Sequence, residues 1–194
     1  MLSKDSAQIT HELQWNAEET GVVFNETRLL TISCDEAGVT HLIWDATLQA
    51  AKALTLDRTP YTTWGGYGGM SLRTSRDMHE VHFILPGGKA VEGLAGQPHD
   101  WVVLEGRMDG GADERVSIGM IDHPGNPRSP SPWYGKSNNG FTFLNAAFLF
   151  HEPLDVQKGE ELHFRYKIVC RDGTWQPSEF QAIADQFRLP HATR

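Results

Sequence analysis

Between positions 121 and 134 the chain reads Ile121-Asp122-His123-Pro124-Gly125-Asn126-Pro127-Arg128-Ser129-Pro130-Ser131-Pro132-Trp133-Tyr134. An acid, an imidazole, an amide, a guanidinium and two large aromatic rings thus share one short segment. These are the groups that move protons and hold hydroxyls. Prolines at 124, 127, 130 and 132 forbid a helix and keep the residues before them extended, so the polar side chains should project from a stiff loop. His123 suits proton transfer, and Asp122 suits orienting a partner or binding hydroxyls. Asn126 and Arg128 suit oxygen binding, while Trp133 and Tyr134 offer flat faces to the C–H side of a sugar ring. His151, followed by Glu152 and Pro153, supplies a second imidazole at a strand end, in the role of a second proton carrier.

Ahead of this segment lies Trp64-Gly65-Gly66-Tyr67-Gly68-Gly69. It lacks the Lys-Ser/Thr ending of a phosphate loop, and Ser71 stands where a dinucleotide fingerprint needs its third glycine, which excludes nucleotide binding there. The glycines instead predict a bend or a close backbone approach at the entry to a strand over 70–74, with Tyr67 or Trp64 as a ligand wall. Arg73, just beyond, could reach a carboxylate or sugar hydroxyls with its planar fork, with a plain strand salt bridge as the alternative. His79 and His82 stand three apart, a spacing that sends them to opposite faces of an extended strand, so that pair alone makes no zinc site. No metal or cofactor is expected. No Gly-x-Ser-x-Gly elbow occurs, and a hydrolase would have to use Asp122 with Glu152.

Such side chains need strands to position them, and alternation at period two runs through the chain. It is clearest in Leu162, Phe164, Tyr166, Ile168 and Cys170, which share one face, with His163, Arg165 and Lys167 on the other. Further strands read at 9–15, 22–33, 40–45, 81–85, 101–108, 116–122 and 141–150, with turn signals between them such as Pro86-Gly87-Gly88-Lys89 and Arg171-Asp172-Gly173. Two stretches look helical: a short piece over 46–52, and a tail over 179–188 where Ser178 and Gln181 form a capping-box pattern. Strands with no helices between them exclude a wound α/β fold and predict an all-β antiparallel sandwich with a short C-terminal helix. The glycine-rich stretch 87–99 is expected to be an exposed, mobile connection, and Cys34 and Cys170 to be buried free thiols.

At 194 residues, with 39% hydrophobic and 22% charged residues, the chain suits one well-cored domain over 1–194 and is not disordered. Its charge of −8, from 25 acidic against 17 basic residues with no basic stripe, excludes nucleic acid as a partner. The pattern around Gly21-Val22-Val23-Phe24 is not that of a signal peptide, and no apolar run reaches the length of about 18 residues that a span needs, so no membrane partner and a cytoplasmic location are expected. Unpaired sheet edges make self-association an expectation.

The blocks Gly65-Gly66-Tyr67-Gly68-Gly69-Met70-Ser71-Leu72-Arg73, Ile118 through Arg128, Pro132-Trp133-Tyr134, and Glu160 through Tyr166 ahead of Asp172-Gly173 resemble the PmoA-like family of bacterial proteins of unknown function. The likeness runs from about Phe24 to Phe187, with Asp-His-Pro-x-Asn-Pro-Arg as its specific block. The label methane oxygenase that the family carries does not suit a chain without a spanning segment. The resemblance implies a β-sandwich, mutarotase-like or jelly-roll-like, and sugar chemistry: proton transfer of an epimerase, mutarotase or lyase type on a sugar or glycoside. Family members usually carry an amino-terminal half with paired histidines that this sequence does not show. That departure favours a homo-oligomer or a subunit of a heteromeric complex, and leaves a noncatalytic sugar-binding or assembly subunit as the alternative reading.

Overall fold

The computed structural model describes residues 6–58, 68–109, 114–138 and 140–189. Its elements are β1 (Ser6–Ala17), β2 (Gly21–Cys34), β3 (Thr40–Ala50), β4 (Leu54–Leu56), β5 (Ser71–Arg73), β6 (His79–Ile84), β7 (Ala90–Val91), β8 (Gly93–Pro98), β9 (Trp101–Arg107), β10 (Arg115–Asp122), β11 (Pro132–Asn138), β12 (Phe141–Ala146), β13 (Leu154–Val156), β14 (Glu161–Asp172) and α1 (Pro177–Arg188). An eight-stranded sheet runs β1-β2-β3-β14-β10-β9-β6-β7, a four-stranded sheet runs β5-β12-β11-β8, and β4 with β13 forms a ribbon. Neighbours pair antiparallel. The architecture is the antiparallel sandwich that the strand pattern predicted.

Alternation along the strands builds three layers. On β9, Val102 and Leu104 point to the small sheet, where they join Leu94, Trp133 and Leu144 in one core. Trp101 and Val103 point the other way, into a second core with Ile121, Val169 and the helix residues Phe180, Ala184 and Phe187. The helix can lie this close because β10 carries Gly119, where a side chain would collide with the Phe180 ring. At the other end of the helix, Arg188 donates to the Asp122 carbonyl oxygen at 2.5 Å and pairs with Asp100 at 2.8 Å.

Several expectations are corrected. The stretch 46–52 is not helical: β3 runs on to Ala50, burying Ala46, Leu48 and Ala50 in alternation between β2 and β14, and tertiary pairing overrides helix propensity. The stretch 87–99 is not a loop, since it forms β7 and β8, and β8 pairs with β11 through a register shift. The helix starts at Pro177 with Gln176 as N-cap and no side-chain cap, so the Ser178 capping box is not formed. A register shift lies between His79 and His82, and both imidazoles are exposed on one shallow groove rather than on opposite faces. Cys34 is exposed rather than buried, while Cys170 is partly covered and its thiol is pushed up by burial.

Candidate functional site

The proline-rich loop keeps its polar groups for itself. Asp122, at the end of β10, is fully buried and its carboxylate accepts four hydrogen bonds: from Asn126 Nδ2 at 2.7 Å, Ser129 Oγ at 2.7 Å, and Ser131 N and Oγ at 3.0 Å each. Burial raises its pKa, against the opposing pull of those donors. Asn126 acts as a piece of strand, since its Oδ1 accepts from the Arg165 N–H at 2.6 Å and its Nδ2 donates to the Arg165 carbonyl at 2.8 Å. Arg128, at φ 60°, donates to the carbonyls of Phe148, Glu152 and Pro153 at 2.9, 2.6 and 2.7 Å and pairs with the Glu152 carboxylate at 3.3 Å. Its fork is consumed in tying the loop to the chain after β12. The hydrolase pair therefore has only one open carboxylate: Asp122 is enclosed, while Glu152 is exposed with Arg128 at 3.3 Å.

Other expected site residues are scattered. Trp133 sits in β11, wholly buried in the main core with its Nε1 donating to the His99 carbonyl at 2.7 Å, so it has no free face for a sugar. Tyr134, next along the strand, points to the opposite side and packs near Phe143, ring centroids 6.2 Å apart. His123 lies edge-on to Phe187 of the helix at 5.5 Å, with its Nδ1 accepting from the Gly125 N–H at 3.1 Å. His151 packs against Phe150, its Nε2 2.9 Å from the Gly96 carbonyl oxygen. Arg73 lies over the Phe141 ring at 4.7 Å and borders a separate cavity with Asp172. Tyr67 and Trp64 lie outside the described residues. Among the described residues these groups do not line one cavity together: Arg73 borders its own and Trp133 is enclosed in the core.

The hairpin β1–β2 supplies a concavity that the loop does not. Register places Trp15, Leu13, His11 and Ile9 of β1 opposite Phe24, Glu26, Arg28 and Leu30 of β2, and β3 continues those rows with Ala50, Leu48, Ala46 and Trp44. All of them share the inner face, because directly paired residues point the same way. Toward β14 that face is core, whereas at the hairpin Ile9, Trp15 and Ile32 remain 44%, 49% and 38% exposed. Between the hairpin and the Gly68–Ser71 segment opens a cavity of about 450 Å³, bordered by Trp15, Arg28, Trp44, Met70 and Phe148. The far wall is backbone. Gly69, at φ 67°, packs so closely on the Ala146 carbonyl and the Tyr166 hydroxyl that a side chain would collide, which realises the close approach expected of the glycine run. Asn145 Nδ2 fixes that bend by donating to the carbonyls of Gly68 and Met70 at 2.8 and 3.0 Å.

Inside the cleft a charged pair sits among apolar groups. Glu26 is 1% exposed, and its carboxylate accepts from Arg28 Nε at 2.6 Å and from the Trp15 indole N–H at 2.6 Å. The Arg28 guanidinium stands 5.4 Å from the Trp44 ring centroid and is about a quarter exposed, at 26%. Nε is thereby satisfied. Among the described residues no acceptor is placed on the two terminal nitrogens of Arg28, and Arg28 is one of the residues that border the cavity. The pair cancels its own charge, so the cleft offers fixed donors and two indole faces with little net field. Among the described residues, no group of three His, Cys, Asp or Glu side chains is placed to hold a metal ion, and no helix is long and apolar enough to cross a membrane.

Glu26, Arg28 and Trp44 could have been found by phase. Glu26 and Arg28 fall in register with Phe24 and Leu30 along a strand already read at 22–33, and charges on the apolar side of an alternating strand are the anomaly to ask about. Trp15 carries no such mark.

Fold and cleft together define an antiparallel β-sandwich protein with an amphipathic concavity on the inner face of its larger sheet. The chain belongs to DUF6807, a family of unknown function, whose match spans residues 2–185. No curated protein matches it in sequence. Among solved structures it is similar to a human-microbiome protein assigned as a kojibiose phosphorylase, at 10% identity over 93% of this chain with a TM-score of 0.41. This chain spans only 20% of that protein's length. It is also similar to a galactose mutarotase related enzyme from Lactobacillus acidophilus, at 12% identity over 90% of this chain and 70% of the other, with a TM-score of 0.36. Likenesses this remote assign no chemistry.

Proposed function

We propose that the protein binds a sugar or glycoside in the cleft between the β1–β2 hairpin and the Gly68–Ser71 segment. The observation that carries this reading is the Arg28 fork. One nitrogen is fixed by buried Glu26, and two are left to donate into a cavity walled by Trp15 and Trp44. A pyranose presents apolar C–H faces and a rim of hydroxyls, and such a ligand matches indole planes beside preorganised donors. The internally neutralised pair favours a neutral saccharide over a charged one. Binding, as a sugar-recognition subunit, is favoured over proton transfer at His123, because Asp122 beside it is enclosed and fully hydrogen-bonded.

Acid/base action on the bound sugar is the second reading. It is favoured by His11, which register sets opposite Arg28 on the same face.

A panel of neutral mono- and disaccharides, titrated against intrinsic tryptophan fluorescence and followed by calorimetry, tests the first reading. Saturable binding is expected, with Arg28→Ala and Trp44→Ala each weakening it at least tenfold while His123→Ala leaves it within twofold. Binding that survives both cleft substitutions, or that is lost in His123→Ala, overturns the assignment. For the second reading, anomer interconversion monitored by polarimetry should vanish in His11→Ala with affinity retained.

A further inference from the structure

The two indoles of the cleft belong to rows far apart along the strands. Trp15 of β1 is in register with Phe24 of β2, and Phe24 with Ala50 of β3, so Trp15 and Trp44 lie six residues apart in the strand direction. At about 3.3 Å per residue the two rows are about 20 Å apart. The charged pair fills the interval. The Trp15 N–H donates to the Glu26 carboxylate, Arg28 Nε donates to the same group, and the guanidinium stands 5.4 Å from the Trp44 ring centroid. Trp15, Glu26, Arg28 and Trp44 thus form a diagonal line across β1, β2 and β3 on one face. Their side chains lean together along that line, but a carboxylate and a guanidinium still separate the rings, and one pyranose cannot lie against both.

The line is open at both ends. Trp15, close to the β1–β2 turn, is 49% exposed, and past the Trp44 row the same face continues to Ile32, which is 38% exposed.

We propose that the cleft takes a linear, neutral oligosaccharide of at least three residues, with one sugar stacked on Trp15, one on Trp44, and the stretch between them hydrogen-bonded over Arg28 and Glu26. The inference rests on the saccharide reading of the cleft. A single ring would use one indole and leave the other in water, whereas a chain covers both, and each stacked ring adds its own apolar contact within one ligand. Open ends also admit a chain longer than the line, so affinity should level off, rather than fall, once a ligand spans both indoles.

Calorimetric titration of the full chain with linear gluco-, manno-, galacto- and xylo-oligosaccharides of one to five residues tests this. In a series that binds, affinity should rise at least tenfold between one residue and three, and change less than twofold from four to five. Trp15→Ala should abolish the gain, bringing the trisaccharide within twofold of the disaccharide, and Trp44→Ala should do the same. The length dependence is read on the parent and so keeps its meaning if a variant folds poorly. A monosaccharide that binds within twofold of its trisaccharide overturns the inference and leaves the saccharide reading standing. So does a folded Trp15→Ala whose affinity still rises tenfold with length. Binding by none of the series removes the saccharide reading itself, and this inference with it.

Discussion

Arg128 and Arg28 both stand beside a glutamate, and the two regions that hold them use the same chemistry for different ends. In the loop, Arg128 spends its fork on three backbone carbonyls, and Asp122 four residues after Ile118 is saturated by four donors. In the hairpin, Arg28 gives one nitrogen to Glu26 and borders a cavity, with no acceptor among the described residues placed on its other two. Irregular backbone supplies its own unpaired carbonyls and N–H groups, and a polar side chain born in a proline-rich loop is consumed in satisfying them. A regular strand satisfies its own backbone, so a polar side chain on it stays available. Density of functional groups in sequence therefore marks a demand for internal hydrogen bonds as readily as it marks a site.

The sharpest way to break this contrast is to remove Asp122. Asp122→Ala leaves the two buried donors of Ser131 and the half-buried Ser129 hydroxyl without their acceptor, at a cost of about 3–5 kcal/mol, since each unsatisfied buried group costs about 1–3. For a chain of this size that is a fall in Tm on the order of 10 °C, read by differential scanning calorimetry. A melting temperature left unchanged, with activity lost, would return Asp122 to catalysis. Titration sharpens the point. Burial raises the Asp122 pKa above its ordinary value, so the folded chain holds this proton at pH values where the unfolded chain has released it. Its contribution to stability is then greatest below the unfolded-state pKa, declines as pH rises through the folded-state pKa, and is flat beyond. Melts of the parent and Asp122→Asn at a series of pH values should show the parent losing ground to the variant as pH rises across that window.

Next in size is Asn126→Ala, which removes two bonds to the Arg165 backbone and one to Asp122, and should cost about 2–3 kcal/mol at roughly 1 kcal/mol per net hydrogen bond. Saccharide affinity, measured by calorimetry on the folded fraction, should be unchanged.

What could be read from sequence follows the same physics. Alternation at 162–170 became β14, with Leu162, Phe164, Tyr166 and Ile168 buried, because period two is set by backbone geometry alone. The helix over 177–188 was legible from its tail position and pattern, although its cap was not. The 46–52 stretch misled because Ala, Leu, Gln and Lys favour a helix locally, and only pairing with β2 and β14, distant in sequence, holds it extended. Trp133 misled because a tryptophan straight after a run of prolines reads as an exposed loop aromatic, whereas Pro132 begins a strand whose alternate side is core. The cleft was the least legible part. Its walls come from β1, β2, β3, and the segments around Gly69 and Phe148, so proximity exists only after the sheet has formed.

The smallest expected change in stability lies at the other end of the contrast, in Trp15→Phe. Trp15 is 49% exposed, and the substitution keeps an aromatic ring while removing one N–H donor to Glu26. Arg28 still satisfies that carboxylate, and the half-open position lets water replace the lost donor, so the cost should stay within about 1 kcal/mol. Affinity should respond more than stability does. Without the indole N–H the Glu26 carboxylate loses one of its two anchors, the Arg28 fork is less fixed, and the preorganisation of its two donors weakens. A fall in saccharide affinity of about fivefold, or about 1 kcal/mol, with a melting temperature within about 3 °C of the parent, is the outcome expected of a binding cleft. A large fall in Tm with affinity intact would instead make the Trp15–Glu26–Arg28 cluster another piece of internal wiring, no different in kind from the loop around Asp122.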